Sequence, residues 1–397
     1  MNKKISLSMA VSLMALTAAV TFILTLSFSR KQFNSQITEI DRLSEKYERL
    51  DELDALVRKE YYTEIPDDGV TDGMLNGYIQ GLGDPYSTFR SASELVSYEN
   101  NSTGIYSGIG ITVRTNEQGE VAIVSVTENG SAQSAGLEAG DTLLYVNNIS
   151  VKEHPDEALK QFAGDIGSKV NVRVRKVYTT DERDYTVTIM QLSETTVFSE
   201  MLEHHIGYIS VRKFRTVTVE QFDAALHDLL SRGAKGFIFD VRNNGGGMIS
   251  ALESMADPLL PEGELAFSYN KGGDAETIIR SDAKSLDMPY VVLVNGGTAS
   301  ASELFACLLR DYAGAKLVGE KTYGKGIMQT TYALSSGGVT LTTSTYATGK
   351  TPCYHGIGLE PDVLSVPDSE SETDTQLADA QKTLLGMIGD DAEKDAA

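Results

Sequence analysis

From Ile5 to Phe28 the chain runs 24 residues without a charged side chain, with Lys3 and Lys4 before the run and Arg30 and Lys31 after it. About 20 such residues suffice for a helix to span a bilayer, so the segment narrows the N-terminus to a membrane anchor or a secretory signal peptide. Thr17, Ala18 and Ala19 offer a cleavage site. Cutting there would leave Val20, Phe22, Ile23, Leu24 and Leu26 as an exposed apolar start to the mature chain. The expectation is therefore an uncleaved anchor over residues 1–29. Basic residues flank both ends, so the positive-inside rule barely decides its orientation.

Behind this segment Ile37, Ile40, Leu43, Tyr47, Leu50, Leu53 and Val57 recur every three or four residues among charged neighbours. That is one apolar stripe on a helix, able to pack on its own domain or to act as a dimer arm. Gly83-Asp84-Pro85-Tyr86-Ser87 then punctuates a helical region, 30–103, that ends near Asn101. From Gly104 to about Met190 the signals become short strands and glycine turns. Ile111 to Val113, Val121 to Val126, Thr142 to Val146, Val170 to Val174 and Tyr185 to Ile189 are β-prone, and Pro155 to Phe162 reads as a helix with Pro in its first turn. Residues 104–190 thus form a small β-rich module. From 191 to 366 strand and helix alternate: Ile206 to Val211, Val219 to Leu230, Gly236 to Val241, Tyr290 to Val294, Ser300 to Arg310, Lys316 to Gly319 and Val339 to Tyr346. The alternation predicts an α/β core with crossover helices, and the whole a mixed α/β multidomain chain. Residues 367–397 read as an acidic tail with a solvated peripheral helix at Leu377, Leu384 and Leu385.

Charge and composition exclude several function classes. With 34 basic against 56 acidic residues and a net charge of −22, the chain is a poor partner for nucleic acid. Cys307 and Cys353 are too few for a disulfide scaffold and lack metal-ligand spacing. The five His offer no ligand pair at helical spacing, and adjacent His204 and His205 are expected on opposite faces of a strand. A zinc enzyme is disfavoured and no cofactor is expected.

Three loops carry chemistry. Asn295-Gly296-Gly297-Thr298-Ala299-Ser300-Ala301-Ser302-Glu303 joins an apolar strand to a helix through tiny residues, leaving the first helical N–H groups unpaired. A Ser there either caps the helix or serves as a nucleophile with oxyanion donors beside it. His355, in Tyr354-His355-Gly356, has no motif linking it to a carboxylate. A lysine can act as base where burial removes its proton, and Lys325, flanked by glycines in Thr322-Tyr323-Gly324-Lys325-Gly326, is such a candidate or else an exposed turn lysine. Gln329 lies four residues on, on the same strand face, where it can orient the amine. The third loop, Arg242-Asn243-Asn244-Gly245-Gly246-Gly247, lets backbone N–H groups approach a ligand. It and the Ser300 turn both follow α/β strands at their carboxyl ends, where active sites form. Two motif matches fail on context. Gly319 to Lys325 reads as a phosphate loop but has Gly326 where Ser or Thr belongs. Ser281-Asp282-Ala283-Lys284 has no companion S-D-N or K-T-G.

Thr298-Ala299-Ser300-Ala301-Ser302-Glu303, followed by Gly324-Lys325-Gly326 and Gln329, resembles the carboxyl-terminal processing peptidases. These are PDZ-containing, tail-specific serine proteases of bacteria and chloroplasts, and the resemblance covers about Leu56 to Leu385. It implies Ser300 as nucleophile, Lys325 as general base, Gln329 as the group positioning the lysine, and the backbone N–H groups of Gly246 and Ala301 as the oxyanion hole. It makes the β-rich module a PDZ domain whose carboxylate-binding loop is Ser107-Gly108-Ile109-Gly110-Ile111, with Leu159 and Phe162 near the terminal side chains of a bound peptide. Two positions depart from the family pattern. Gly245 stands where a Pro is usual, and Asn129-Gly130-Ser131-Ala132 lacks the common Ser-Pro.

The resemblance therefore implies a membrane-anchored endopeptidase, with its catalytic domains outside the cytoplasm, that processes exported proteins at or near their C-termini. Its PDZ domain would bind those C-termini and gate activity, no cofactor would be needed, and a homodimer is plausible. The alternative is a noncatalytic PDZ adaptor with a decayed protease domain.

Overall fold

The computed structural model describes residues 7–282, 285–368, 370–371 and 373–394, with the side chains of 7–8, 31–46 and 390–394 outside that description. The chain divides into two units, Met1–Met74 and Leu75–Ala397. In the first, the anchor segment and the striped segment are one unbroken helix, Leu7–Glu60, of 54 residues. Between Phe28 and Ile37 the sequence holds neither Gly nor Pro, so nothing stops propagation. Its part Met9–Arg30 has mean hydropathy 2.2 and is long and apolar enough to cross a membrane. Of the stripe, Tyr47, Leu50 and Leu53 are exposed; the side chains of Ile37, Ile40 and Leu43 lie outside the described residues.

In the second unit a short strand, Thr88–Ser91, precedes the helix Ala92–Thr103, closed by Gly104 in the left-handed conformation. The β-rich module follows as an antiparallel sheet in the order Ile111–Thr115, Val121–Val126, Thr142–Val146, Lys169–Arg175, Glu182–Thr188, with Ile149–Ser150 paired to the third strand. Strict alternation in Lys-Val-Asn-Val-Arg-Val-Arg places Val170, Val172 and Val174 in the core and the polar residues outside. Helices Ser131–Ala135 and Pro155–Lys160 close that core with Ala132 and Ala158. The module is carried on a two-stranded ribbon, since the entering strand Ile105–Gly108 pairs with the leaving strand Met190–Ser193.

The α/β core is built on a six-stranded sheet in the order Val197–Leu202, Ile206–Val211, Gly236–Asp240, Tyr290–Val294, Lys316–Gly319, Val363–Leu364, parallel except for the first pair. Continuous apolar runs such as Gly236–Asp240 and Tyr290–Val294 are buried along their whole length, as strands covered on both faces must be. One face is covered by the helices Thr216–Ser231, Ile249–Ala256 and Ala301–Ala313. The other is covered by the C-terminal helix Thr375–Lys394, whose Ala380 and Leu384 are fully buried against Ile238, Val291 and Val318. That helix is a packed layer rather than the solvated one expected from its charge, because its acids lie off the stripe that meets the sheet. A second sheet joins Thr88–Ser91, Gly337–Thr348, Gly263–Asn270 and Ala275–Ser281, with Ile327–Leu334 paired to Gly337–Thr348. His204 and His205 do not alternate on a strand. They form the tight connection between two antiparallel strands, both with positive φ, and both are exposed.

Candidate active site

The turn at Ser300 follows from two sequence facts. Tyr290–Val294 is a buried parallel strand, and Ala301 to Leu309 are nine consecutive buried residues, so the helix they open is buried all round and fixed in the core. Phe305 packs edge-on against Phe239, with ring centroids 5.6 Å apart, and locks that helix to the neighbouring strand. The chain must reverse between strand and helix within a few residues. Ser300 takes the strain with φ 58° and ψ −122°, a conformation that costs a non-glycine residue about 1–3 kcal/mol. Thr298, fully buried, pins the turn: its hydroxyl donates to Val241 O at 2.9 Å, and its carbonyl accepts from Tyr323 N at 3.0 Å.

Glu303 ties this turn to the lysine turn. It is fully buried, and its two carboxylate oxygens accept four hydrogen bonds: from Ser300 N (2.9 Å), Lys325 N (2.8 Å), Gly324 N (2.7 Å) and Thr322 Oγ1 (2.5 Å). Ser300 and Lys325, 25 positions apart, thus hang from one carboxylate. Tyr346, also buried, makes a second link: its hydroxyl donates to Lys325 O at 2.6 Å and interacts with the Ser300 side chain. Burial pushes the Lys325 amine below the ordinary lysine range, partly offset by the Asp84 charge. No hydrogen bond or ion pair reaches Lys325 Nζ among the described residues; its neighbour is the Tyr86 ring, whose centroid lies 4.5 Å away.

The glycine loop lies against Ser300. Neighbouring parallel strands Gly236–Asp240 and Tyr290–Val294 deliver both turns to one edge, where Asn243 and Asn295 exchange hydrogen bonds of 2.9 and 3.0 Å. Gly246 has φ 100°, and a Cβ built on it would stand 2.9 Å from Ala299 O, Ala301 N and Ser300 Cβ, so only glycine fits. Its N–H is engaged by the Asn244 side chain, Oδ1 accepting at 2.9 Å. Ala301 N, the first N–H of its helix, has no intrahelical partner to reach. Gln329 follows a bulge in Ile327–Leu334 and donates from Nε2 to Thr342 Oγ1 at 3.1 Å, not to the lysine.

In the β-rich module, Ile111–Thr115 is an edge strand paired, among the described residues, only with Val121–Val126, so its other edge is open to an added strand. Ile111, Leu159 and Phe162 are half-buried against the module's core, whereas Ile109 is 1% exposed and belongs to that core. Gly108 and Gly110 are buried in the loop before it, and Gly110, with φ 83°, sits against Thr127 and Gly130.

The sequence contained the Glu303 signal in plain form. Ser followed three residues later by Glu is a capping box, with the Glu returning to the Ser N–H. Its other three partners arrive from a turn some 20 residues away. Asp84 and Tyr86 were visible only as punctuation.

Comparisons agree with this architecture. The sequence signature of peptidase family S41 matches residues 205–365, and that of the PDZ domain matches 99–175. The carboxy-terminal processing protease CtpA of Bacillus subtilis (strain 168) is 30% identical over 408 residues, covering 98% of this chain and 86% of that protein. The carboxyl-terminal-processing protease of Synechocystis sp. is 31% identical over 344 residues, covering 83% of this chain and 78% of that protein. Among solved structures, the photosystem II D1 C-terminal processing protease is 26% identical with a TM-score of 0.45, covering 84% of this chain and 90% of that one.

Proposed function

The chain belongs to peptidase family S41 as a carboxyl-terminal processing serine protease with a PDZ domain, and from that premise we propose a Ser300/Lys325 dyad acting on exported proteins near their C-termini. The observation that carries this reading is the single buried carboxylate of Glu303 holding both turns at once. Neutral Lys325 takes the Ser300 proton as Oγ attacks the peptide carbonyl. Lys325 then gives that proton to the leaving amine, and water hydrolyses the acyl-enzyme by the reverse path. Gly246 and Ala301 N–H groups receive the oxyanion, which requires the Gly246 amide to leave Asn244 Oδ1.

The PDZ domain adds a substrate C-terminus along the open edge of Ile111–Thr115. Its terminal carboxylate meets the loop at Gly108, Ile109 and Gly110, and its side chains meet Ile111, Leu159 and Phe162. Gating by this domain is supported by how it is attached. At the foot of its ribbon Arg215 bonds both the Asn101 carbonyl and Glu194, while the adjoining Phe214 pairs with Gly246 and Met248 through its backbone. Movement of the ribbon therefore pulls on the Phe214 segment, which is bonded directly to the oxyanion loop. The apolar helix Met9–Arg30 anchors the chain with its catalytic domains on the extracytoplasmic side, and the exposed Leu50 and Leu53 after it serve a homodimer. The test is cleavage of an unstructured peptide by the intact chain and by its Ser300→Ala and Lys325→Ala forms. Both variants are expected to be inactive while folding normally; full activity in either overturns the dyad.

A further inference from the structure

The segment Asp84-Pro85-Tyr86-Ser87, far from the protease core in sequence, lies on the lysine side of the site. Ser87 Oγ accepts from Thr342 N at 3.1 Å, a bond spanning 255 positions, and the following strand Thr88–Ser91 pairs with Gly337–Thr348. Asp84 turns back on its own segment, accepting from Tyr86 N at 3.0 Å and Ser87 Oγ at 2.6 Å. Partial burial pushes its carboxyl up, but the Ser87 and Thr342 hydroxyls, the Tyr86 N–H and the Lys325 charge outweigh it and hold it below the usual carboxylate range. Tyr86 lays its ring beside Lys325 Nζ and its hydroxyl 3.4 Å from that of Tyr323, which with burial pushes the phenol up to about 12. The groups facing the Lys325 turn are Asp84 and Tyr86 from this segment, Glu303 from the helix below, Tyr323 from the turn itself and Tyr346 from Gly337–Thr348. Cys353 and His355 pack on Gly326.

We infer that Asp84 and Tyr86 are positioning residues for Lys325: the ring supports the Nζ, and the carboxylate stabilises the ammonium that forms when the Ser300 proton arrives. This rests on Lys325 being the base. Gln329 donates from Nε2 to Thr342 Oγ1, on the strand whose Thr342 N–H is held by Ser87 of this segment. During the step one proton passes from Ser300 Oγ to Lys325 Nζ as the Oγ–carbon bond forms; Asp84 and Tyr86 neither gain nor lose one. A ring face and a carboxylate both favour the charged amine, so they act where charge develops, as an orienting acid does for histidine in a triad.

The experiment measures kcat and KM against pH for the intact chain on an unstructured peptide, in the native form and in Asp84→Asn, Tyr86→Phe, Tyr86→Leu and Lys325→Ala. Asp84→Asn is expected to lower plateau kcat about tenfold, leave KM nearly unchanged, and move the acid limb to lower pH, because the charge favouring the ammonium is gone. Tyr86→Leu is expected to lower kcat about threefold and move the limb the same way, while Tyr86→Phe keeps both near native. A limb that stays in place in Asp84→Asn, or Tyr86→Phe as impaired as Tyr86→Leu, overturns the inference. An active Lys325→Ala overturns the dyad itself, whereas an inactive one beside an unmoved limb defeats only this inference. If Asp84→Asn does not fold, as melting shows, the contrast between Tyr86→Phe and Tyr86→Leu decides alone.

Discussion

Replacing Glu303 by Gln changes one oxygen to an NH2 while keeping the shape. In either orientation that NH2 meets two donors, Ser300 N with Lys325 N on one side or Gly324 N with Thr322 Oγ1 on the other. The second orientation costs less. The Thr322 hydroxyl, which already accepts from Leu359 N at 2.7 Å, can turn to accept the new donor as well, leaving Gly324 N as the one orphaned backbone donor. A buried N–H without a partner costs about 1–3 kcal/mol, and loss of charge weakens the two remaining backbone bonds by roughly 1 kcal/mol each. The sum, about 3–5 kcal/mol, corresponds to a fall of roughly 10 °C in melting temperature for a domain of this size. Because the orphaned N–H belongs to the residue before Lys325, kcat on an unstructured peptide should fall about 100-fold, with KM little changed. Calorimetry and steady-state kinetics on the intact chain measure both. A Glu303→Gln form that melts and turns over like the native protein would refute the idea that this carboxylate holds the two turns together.

Gly246→Ala places a methyl 2.9 Å from Ala299 O and Ala301 N at φ 100°; kcat should drop by about 100- to 1,000-fold, the loss typical of one oxyanion donor. The Lys325 amine is depressed by burial, so the neutral, competent fraction is present above its pKa and is lost as pH falls through it. The acid limb of kcat/KM of the native chain, followed by steady-state kinetics against pH, should therefore lie below the ordinary lysine range. A peptide whose C-terminus is amidated should bind the PDZ domain at least tenfold more weakly than the free acid, as measured by calorimetry, because the loop N–H groups lose their anionic acceptor.

Local pattern carried much of this structure. Alternation alone predicts Lys169–Arg175 as a half-buried strand, and tiny residues between a buried strand and a buried helix predict the exposed turn at Ser300. What the sequence hid was long-range pairing. Gly263–Asn270 and Ala275–Ser281 form a hairpin whose alternation is broken by a register shift around Ala266, and Gly263–Asn270 is held by pairing with Gly337–Thr348. Adjacent His204 and His205 would point to opposite faces of a strand, yet the antiparallel register Leu202↔Ile206 leaves them only a three-residue connection. Asp84 and Tyr86 look like turn punctuation because Asp84 bonds within its own turn, while the partners of Tyr86 and Ser87 lie more than 200 positions away. Glu303 sat in a recognisable capping box, but nothing local announces that a capping carboxylate also holds the lysine turn.

The central claim is that a neutral Lys325 activates Ser300. Its most direct test is the rate at which a fluorophosphonate labels the intact chain at neutral pH, with the adduct mapped by mass spectrometry. The account predicts one adduct, on Ser300, formed quickly in the native form and at least 100-fold more slowly in Lys325→Ala. Equal labelling rates in the two forms, or an adduct on another serine, would contradict it.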